Sequence, residues 1–315
     1  MDLRHADGRY APSPSGPLHL GNLRTALLAW CFARSQGARF LLRIEDLDHQ
    51  RSRREHEATM IADLRALGLD WDEPPSRQSE RLERHRAAFE ELRAGGRLYP
   101  CWCTRAEVRA AAAAPHPPLR AGAATAGGPA EHRYPGTCRE LGADERAARE
   151  RGGRPAAWRL DARGVRIGFR DELAGDFAAC VDDFVVWRGD EGPAYNLAVV
   201  IDDADQGIGE VVRGEDLLET TPRQILLARL LGLAVPHYAH VPLVLGPDGR
   251  RLAKRDGAVT LAQRLALGES VETVIGWLAA SAGLIAPGGA CSAAEVLAGF
   301  DPARLRREPA VFTQS

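Results

Sequence analysis

Residues 9–26 read Arg9-Tyr-Ala-Pro-Ser-Pro-Ser-Gly-Pro-Leu-His19-Leu-Gly21-Asn22-Leu-Arg-Thr-Ala26. The first five residues have the character of a strand end, and Pro14-Ser15-Gly16-Pro17 punctuates a turn. Leu20, Leu23, Leu27, Trp30 and Cys31 then recur at helical spacing until Gly37, which predicts a helix with Cys31 on its apolar stripe. Residues 39–46, Arg-Phe-Leu-Leu-Arg-Ile-Glu-Asp, read as the next strand. Strand, helix and strand within forty residues make a βαβ unit, so the expected fold class is α/β with a parallel sheet.

His19 and Asn22 lie three apart at the start of that helix, where both can face one side of its first turn. Unpaired N–H groups and partial positive charge at this end suit a phosphate. Gly21 is expected to let a flat base or ribose approach the backbone. Far along the chain stands Gly246-Pro-Asp-Gly-Arg-Arg251-Leu-Ala-Lys254-Arg-Asp-Gly-Ala258, a glycine-rich loop with clustered cations. Of 41 basic residues, 40 are arginine, and Lys254 is the single lysine, which marks a position where a guanidinium would not serve. Lys254 lacks the neighbours of a P-loop, and no Gly-x-Gly-x-x-Gly turn follows a strand.

Arg43 and Glu45 share one face of the 39–46 strand, while Leu42 and Ile44 take the other. Arg213 follows two valines and should emerge at a strand end, where parallel sheets place ligands. Helical segments are expected at 51–67 and 78–94, strands at 156–161, 165–170 and 181–188, and a buried strand from Ala194 to Asp202. An apolar helix behind a threonine cap is expected from Thr221 to Leu231, with short helices beyond 246. Residues 110–130 form an Ala/Pro/Gly tract expected to be a disordered insertion. Cys101-Trp-Cys103 and Cys138 bracket that tract and suggest part of a tetrahedral zinc site. On general frequencies His132 or His116 would be the fourth ligand. Cys180 and Cys291 stand alone and read as packing residues.

Apolar residues make up 45% and charged residues 27%, the mix of a globular enzyme, and the net charge of −2 neither requires nor forbids a nucleic acid. There is no apolar run of membrane-spanning length and no secretory pattern at the N-terminus, so a cytoplasmic setting is expected.

The stretch from Pro12 to Asn22 resembles the HIGH element of class I aminoacyl-tRNA synthetases of the glutamyl/glutaminyl branch, and Arg251-Leu-Ala-Lys254-Arg resembles their KMSKS loop. Arg251 and Ala253 depart from that loop's lysine and serine. The likeness implies a Rossmann-type catalytic domain with a zinc-bearing insert and a short C-terminal helical segment. Its parts would be 1–99 and 191–245 for the catalytic halves, 100–190 for the tRNA-contacting insert, and 246–315 for the loop and helical segment. It implies ATP with Mg2+, His19 and Lys254 as catalytic groups, and Gly21 and Asn22 at the nucleotide. Arg9 and Arg213 would take carboxylates of L-glutamate and Glu45 its ammonium, with Tyr10, Ala11, Pro12, Ser13 and Tyr195 completing the pocket.

Glutamate is favoured over glutamine because a neutral side chain would leave an arginine unpaired. Ordinary glutamyl enzymes continue well beyond the sixty residues that follow Lys254. That shortness resembles the glutamyl-Q group, which places glutamate on queuosine in the anticodon loop of tRNA(Asp). The same group implies Tyr134 as the fourth ligand beside Cys101, Cys103 and Cys138, around one structural Zn2+, in a monomer. The alternatives are a short synthetase charging tRNA(Glu) and a non-catalytic RNA-binding paralogue.

Overall fold

The computed structural model describes residues 6–104, 106–108, 134–190, 192–252, 256–257 and 259–313. Lys254 and Ala253, the 110–130 tract, His116 and His132 lie outside the described residues. The chain opens with β1 (Asp7–Tyr10), α1 (Leu20–Ser35), β2 (Phe40–Ile44), α2 (Arg54–Ala66), β3 (Ser76–Arg77) and α3 (Leu82–Ala94). Next come β4 (Leu98–Cys101), α4 (Ala143–Arg151), β5 (Ala157–Leu160), β6 (Arg166–Asp171), β7 (Gly175–Cys180) and β8 (Phe184–Trp187). After them stand α5 (Tyr195–Asp205), β9 (Ile208–Gly214), α6 (Thr221–Leu230), β10 (His237–Val241) and β11 (Val244–Leu245). α7 (Leu261–Ala266), α8 (Val271–Ser281), α9 (Ala293–Ala298) and β12 (Ala310–Val311) close the described chain.

Seven strands form the main sheet in the order β3-β2-β1-β9-β10-β6-β7. Pairing is parallel from β3 through to β6, and β6–β7 is an antiparallel hairpin. β2 shows why both faces are covered. Phe40, Leu42 and Ile44 enter the core built on α1, whereas Leu41 enters the core built on α3, α5 and α6. α1 contributes Leu20, Leu23, Leu27 and Leu28, each at most 2% exposed. Burial of each contributes on the order of 2 kcal/mol. β4, β5 and β8 form a separate antiparallel sheet. β6 and β7, within the 100–190 span read as insert, join the main sheet instead.

Two expectations are corrected. Ala194–Asp202 is not a strand, because Tyr195–Asp205 is helix α5 with Leu197 to Asp203 buried. A short apolar run suits a buried helix as well as a buried strand, and periodicity alone does not separate them. The threonine before α6 does not cap it. Thr220 already has helical dihedrals and makes no side-chain cap bond, because a 3-10 turn at Glu215–Thr220 feeds the chain directly into the helix. β7 had no separate signal in the sequence.

Candidate active site

From β1 the chain winds one way to β2 and β3, while β9 leads the other way to β10. β1 and β9 are therefore the topological switch point, where open α/β sheets bind ligands beyond the carboxyl ends of their strands. A cavity of about 590 Å3 lies there. Residues 10–13 and 15–19 after β1, Glu45 after β2, Gly214 and Asp216 after β9, and Pro242–Val244 after β10 all line it, as do Tyr195 and Arg251. The loop after β1 is stitched to the end of β2. Glu45 N–H donates to the Pro12 carbonyl at 3.0 Å, and Ser13 Oγ donates to the Glu45 carbonyl at 2.9 Å.

His19 is the N-cap of α1. Its Nδ1 accepts from Asn22 N–H at 3.2 Å, while Asn22 Oδ1 accepts from His19 N–H at 3.3 Å. This reciprocal cap satisfies the helix start. It also fixes the tautomer: with Nδ1 accepting, a neutral ring carries its proton on Nε2. Burial pushes His19 down to about 4, and the positive charge of Arg251 adds to that against the pull of Asp216. The ring is thus a neutral donor. A Cβ on Gly21 would stand 3.0 Å from His19 Cε1, so the glycine leaves room for the histidine ring. Arg251 Nη1 is paired with Asp216 Oδ2 at 2.8 Å on the same wall.

Arg9 and Arg213 do not line the cavity themselves; each sits one residue behind a lining residue. Both charges are felt at Tyr195, which does line it. Arg9 Nε is bonded to Asp203 Oδ1 at 3.2 Å. Arg43, fully buried, is paired with Asp203 at 2.7 Å and with Glu45 Oε1 at 3.3 Å. Burial pushes the Glu45 carboxyl upward against the opposing pull of Arg43 and Arg9. Asp203 is held below the ordinary range despite burial, because Arg43 and Arg9 face it. Arg9 and Arg43 thus face Glu45 and Asp203 beside the cavity, while Arg213 bonds to the neutral His240, Gln224 and Thr221, with Asp171 further back behind His240.

Sequence reasoning missed Asp203, whose segment it read as a strand. It also missed Arg24, which lines the cavity, donates through Nη2 to the Pro242 carbonyl, and has a buried Nε without a hydrogen-bond partner. Arg43 was placed on the correct face but given no role. Read as a helix, residues 195–205 would have set Asn196 and Asp203, seven apart, on one face.

The three cysteine sulfurs of Cys101, Cys103 and Cys138 lie within 4.8 Å of one another. The Tyr134 hydroxyl is 3.4 Å from Cys101 Sγ and 3.7 Å from Cys103 Sγ, and it accepts from Cys138 N–H at 2.8 Å. Sulfurs around a tetrahedral zinc stand about 3.8 Å apart, given Zn–S of about 2.3 Å. The cluster is therefore of the right size and donor type to hold a metal ion. Tyr99 and Trp102 pack beside it, and the Arg159 guanidinium lies 3.7 Å from the Tyr134 ring centroid. Among the described residues no other group of three or more His, Cys, Asp or Glu converges in this way.

Comparison with known proteins bears on the same residues. The family model of the class I tRNA synthetases (E and Q), catalytic domain, matches residues 6–275. A glutamyl-Q tRNA(Asp) synthetase of Nocardia farcinica is 56% identical over 98% of this chain and 93% of its own length. One from Symbiobacterium thermophilum is 52% identical over 96% of this chain and 94% of its own. The crystal structure of a glutamate tRNA ligase from Elizabethkingia meningosepticum, in complex with its amino acid, superposes with a TM-score of 0.80 at 28% identity. That match covers 98% of this chain and 67% of that one. On these matches the chain belongs to the E and Q branch of the class I tRNA synthetases, in the group whose members are named glutamyl-Q tRNA(Asp) synthetase.

Proposed function

We propose that the chain activates L-glutamate with ATP as glutamyl-adenylate, releasing pyrophosphate, and then transfers the glutamyl group to queuosine in the anticodon loop of tRNA(Asp). What carries this reading is one cavity shared by a histidine-capped helix start and a Glu45–Tyr195 wall backed by Arg9 and Arg213. In the first step a substrate carboxylate oxygen attacks the α-phosphorus, and the bond to the pyrophosphate oxygen breaks. Negative charge grows on the departing phosphates, where His19 Nε2–H acts as a pre-placed donor and Lys254 supplies a positive charge. Neutral His19 needs no proton from solution to do so. The substrate ammonium is read by Glu45, and the excess of guanidinium over carboxylate beside the pocket favours an anionic side chain over a neutral amide. In the second step a queuosine hydroxyl attacks the adenylate carbonyl and AMP leaves. Mg2+ would accompany ATP. A monomer working in the cytoplasm completes the proposal; among the described residues no helix is long and apolar enough to cross a membrane.

The test offers radiolabelled glutamate and ATP to tRNA(Asp) carrying queuosine, tRNA(Asp) carrying guanosine, and tRNA(Glu). Label is expected on the first alone, and glutamate-dependent pyrophosphate exchange is expected without any tRNA. Label on tRNA(Glu) alone would make the chain a short glutamyl-tRNA synthetase, and label on none would favour a non-catalytic paralogue.

We also infer that Cys101, Cys103, Cys138 and Tyr134 hold one structural zinc. Elemental analysis is expected to give about one zinc per chain, as one tetrahedral site requires. Cys138→Ala should lose it, and Tyr134→Phe should weaken its retention against a chelator.

A further inference from the structure

Arg213 is the penultimate residue of β9 and is 5% exposed. Its guanidinium is held by three neutral acceptors. Nε donates to His240 Nε2 at 3.1 Å, Nη1 to Gln224 Oε1 at 2.7 Å, and Nη2 to Thr221 Oγ1 at 2.8 Å. An arginine has five N–H groups, so one remains on each terminal nitrogen, the number a carboxylate fork uses. None of the three acceptors is an anion, which leaves the charge available to a ligand.

The acceptor at Nε exists only in one state of His240. Its Nδ1 stands 2.6 Å from Asp171 Oδ2 and must donate there, because an ionised carboxylate only accepts. The Nε2 lone pair then accepts from Arg213 Nε–H, with the Thr221 hydroxyl, which donates to the Leu217 carbonyl, 3.1 Å from the same nitrogen. Both His240 and Asp171 are buried, at 2% and 1% exposure. Against the upward push of burial, the His240 hydrogen bond and Ala174 N–H keep the Asp171 carboxyl below its ordinary range. The Asp171 side chain is itself locked. Oδ1 accepts from Leu173 N–H at 3.0 Å and Ala174 N–H at 2.8 Å, which leaves Oδ2 facing the ring.

We propose that Asp171 and His240 are positioning residues for glutamate. Asp171 fixes the Nδ1–H tautomer of His240, and the exposed Nε2 lone pair fixes the plane in which Arg213 presents its two remaining donors. This rests on the reading of Arg213 as a substrate-carboxylate fork. No other described contact gives Asp171 a role at the cavity. Its segment, β6, is in the main sheet next to β10, where His240 sits.

The geometry dictates an unusually directed variant. In Asp171→Asn the amide oxygen is claimed by the Leu173 and Ala174 N–H groups, so the NH2 turns to His240 Nδ1. The ring must then accept at Nδ1 and carry its proton on Nε2, which no longer accepts from Arg213 Nε–H. That proton can be donated only to Thr221 Oγ1, 3.1 Å away, an acceptor that Arg213 Nη2 already uses. In pyrophosphate exchange the glutamate KM should rise about tenfold or more while the ATP KM stays within about twofold, the signature of a lost substrate contact rather than a general lesion. The 15N shifts of His240 should show Nδ1 protonated in the parent and Nε2 protonated in the variant. His240→Gln, whose Oε1 can accept from Arg213, should keep a glutamate KM well below that of His240→Leu. This comparison decides the matter even if Asp171→Asn does not fold. A reversed tautomer with unchanged glutamate KM, or equal KM values for the Gln and Leu variants, overturns the proposal. Arg213→Lys with unchanged glutamate KM overturns instead the pocket reading beneath it.

Discussion

At Gly21 and His19, one missing methyl group decides where a proton donor stands. Gly21 lies in the first turn of α1, where alanine is the better helix former by roughly 1 kcal/mol. Gly21→Ala should therefore change the melting temperature only slightly, because the propensity gained offsets the Asn22 N–H cap lost when the His19 ring turns away and the small shift asked of Val244, 3.3 Å from the new Cβ. Activity should not survive the rotation as well. Displacing one pre-placed donor costs ~2–4 kcal/mol in the transition state, and pyrophosphate exchange reads this directly. Lys254→Ala should cost a similar amount. His19 titrates at about 4, below its unfolded value of 6.5, so the folded state binds fewer protons between them. Its contribution to stability is complete above pH 6.5 and is lost as pH falls towards 4. An acid limb of adenylation between pH 5 and 7 must then belong to another group. His19 was legible in the sequence because the cap spacing is local. Asp171, Asp203 and His240 were not, since each acts on a partner dozens to nearly two hundred residues away and leaves no periodic mark.

Elements were legible where their pattern was local and long. α1 and β2 fall where apolar spacing puts them, and the β1–α1–β2 unit predicted the parallel sheet. α5 was misread because its run of Leu197 to Ile201 is buried on all sides, which erases the stripe that identifies a surface helix. One inter-element contact carries its own pH dependence. Glu210 on β9 accepts from Gln36 Nε2, at the C-cap of α1, at 3.1 Å. Burial raises its carboxyl to about 7, opposed by the Gln36 hydrogen bond and helped by Glu172. The folded value lies above the unfolded 4.5, so the folded state binds more protons between them, and stability falls as pH rises through about 7. Glu210→Gln keeps the size and an acceptor without the charge. It should match the parent near pH 4 and exceed it by ~1–2 kcal/mol at pH 8, after allowance for solvent screening, in urea melts at both values.

The whole molecule was legible as a class and as a cavity, less so as a connectivity. Spacing foretold an α/β sheet with ligands at its strand ends. Of the residues the resemblance implied, Tyr10 to Ser13, His19, Gly21, Asn22, Glu45 and Tyr195 line the cavity. Arg9 and Arg213 stand one residue behind it, and Lys254 lies outside the described residues. What neither supplied was the return of β6 and β7 to the main sheet after the chain has built the cysteine-bearing β4–β5–β8 layer. That detour spaces the central strands far apart in sequence. β1 takes β9 as its neighbour, pairing Asp7 with Ile208 across the switch point. A ribosome must therefore synthesise about two hundred residues before the first strand gains its second partner. Until then β1 has only β2, and its other edge offers unpaired N–H and C=O groups to any passing strand. The nascent chain is open to aggregation at that edge during the interval, and the cavity between β1 and β9 cannot form in any shorter chain.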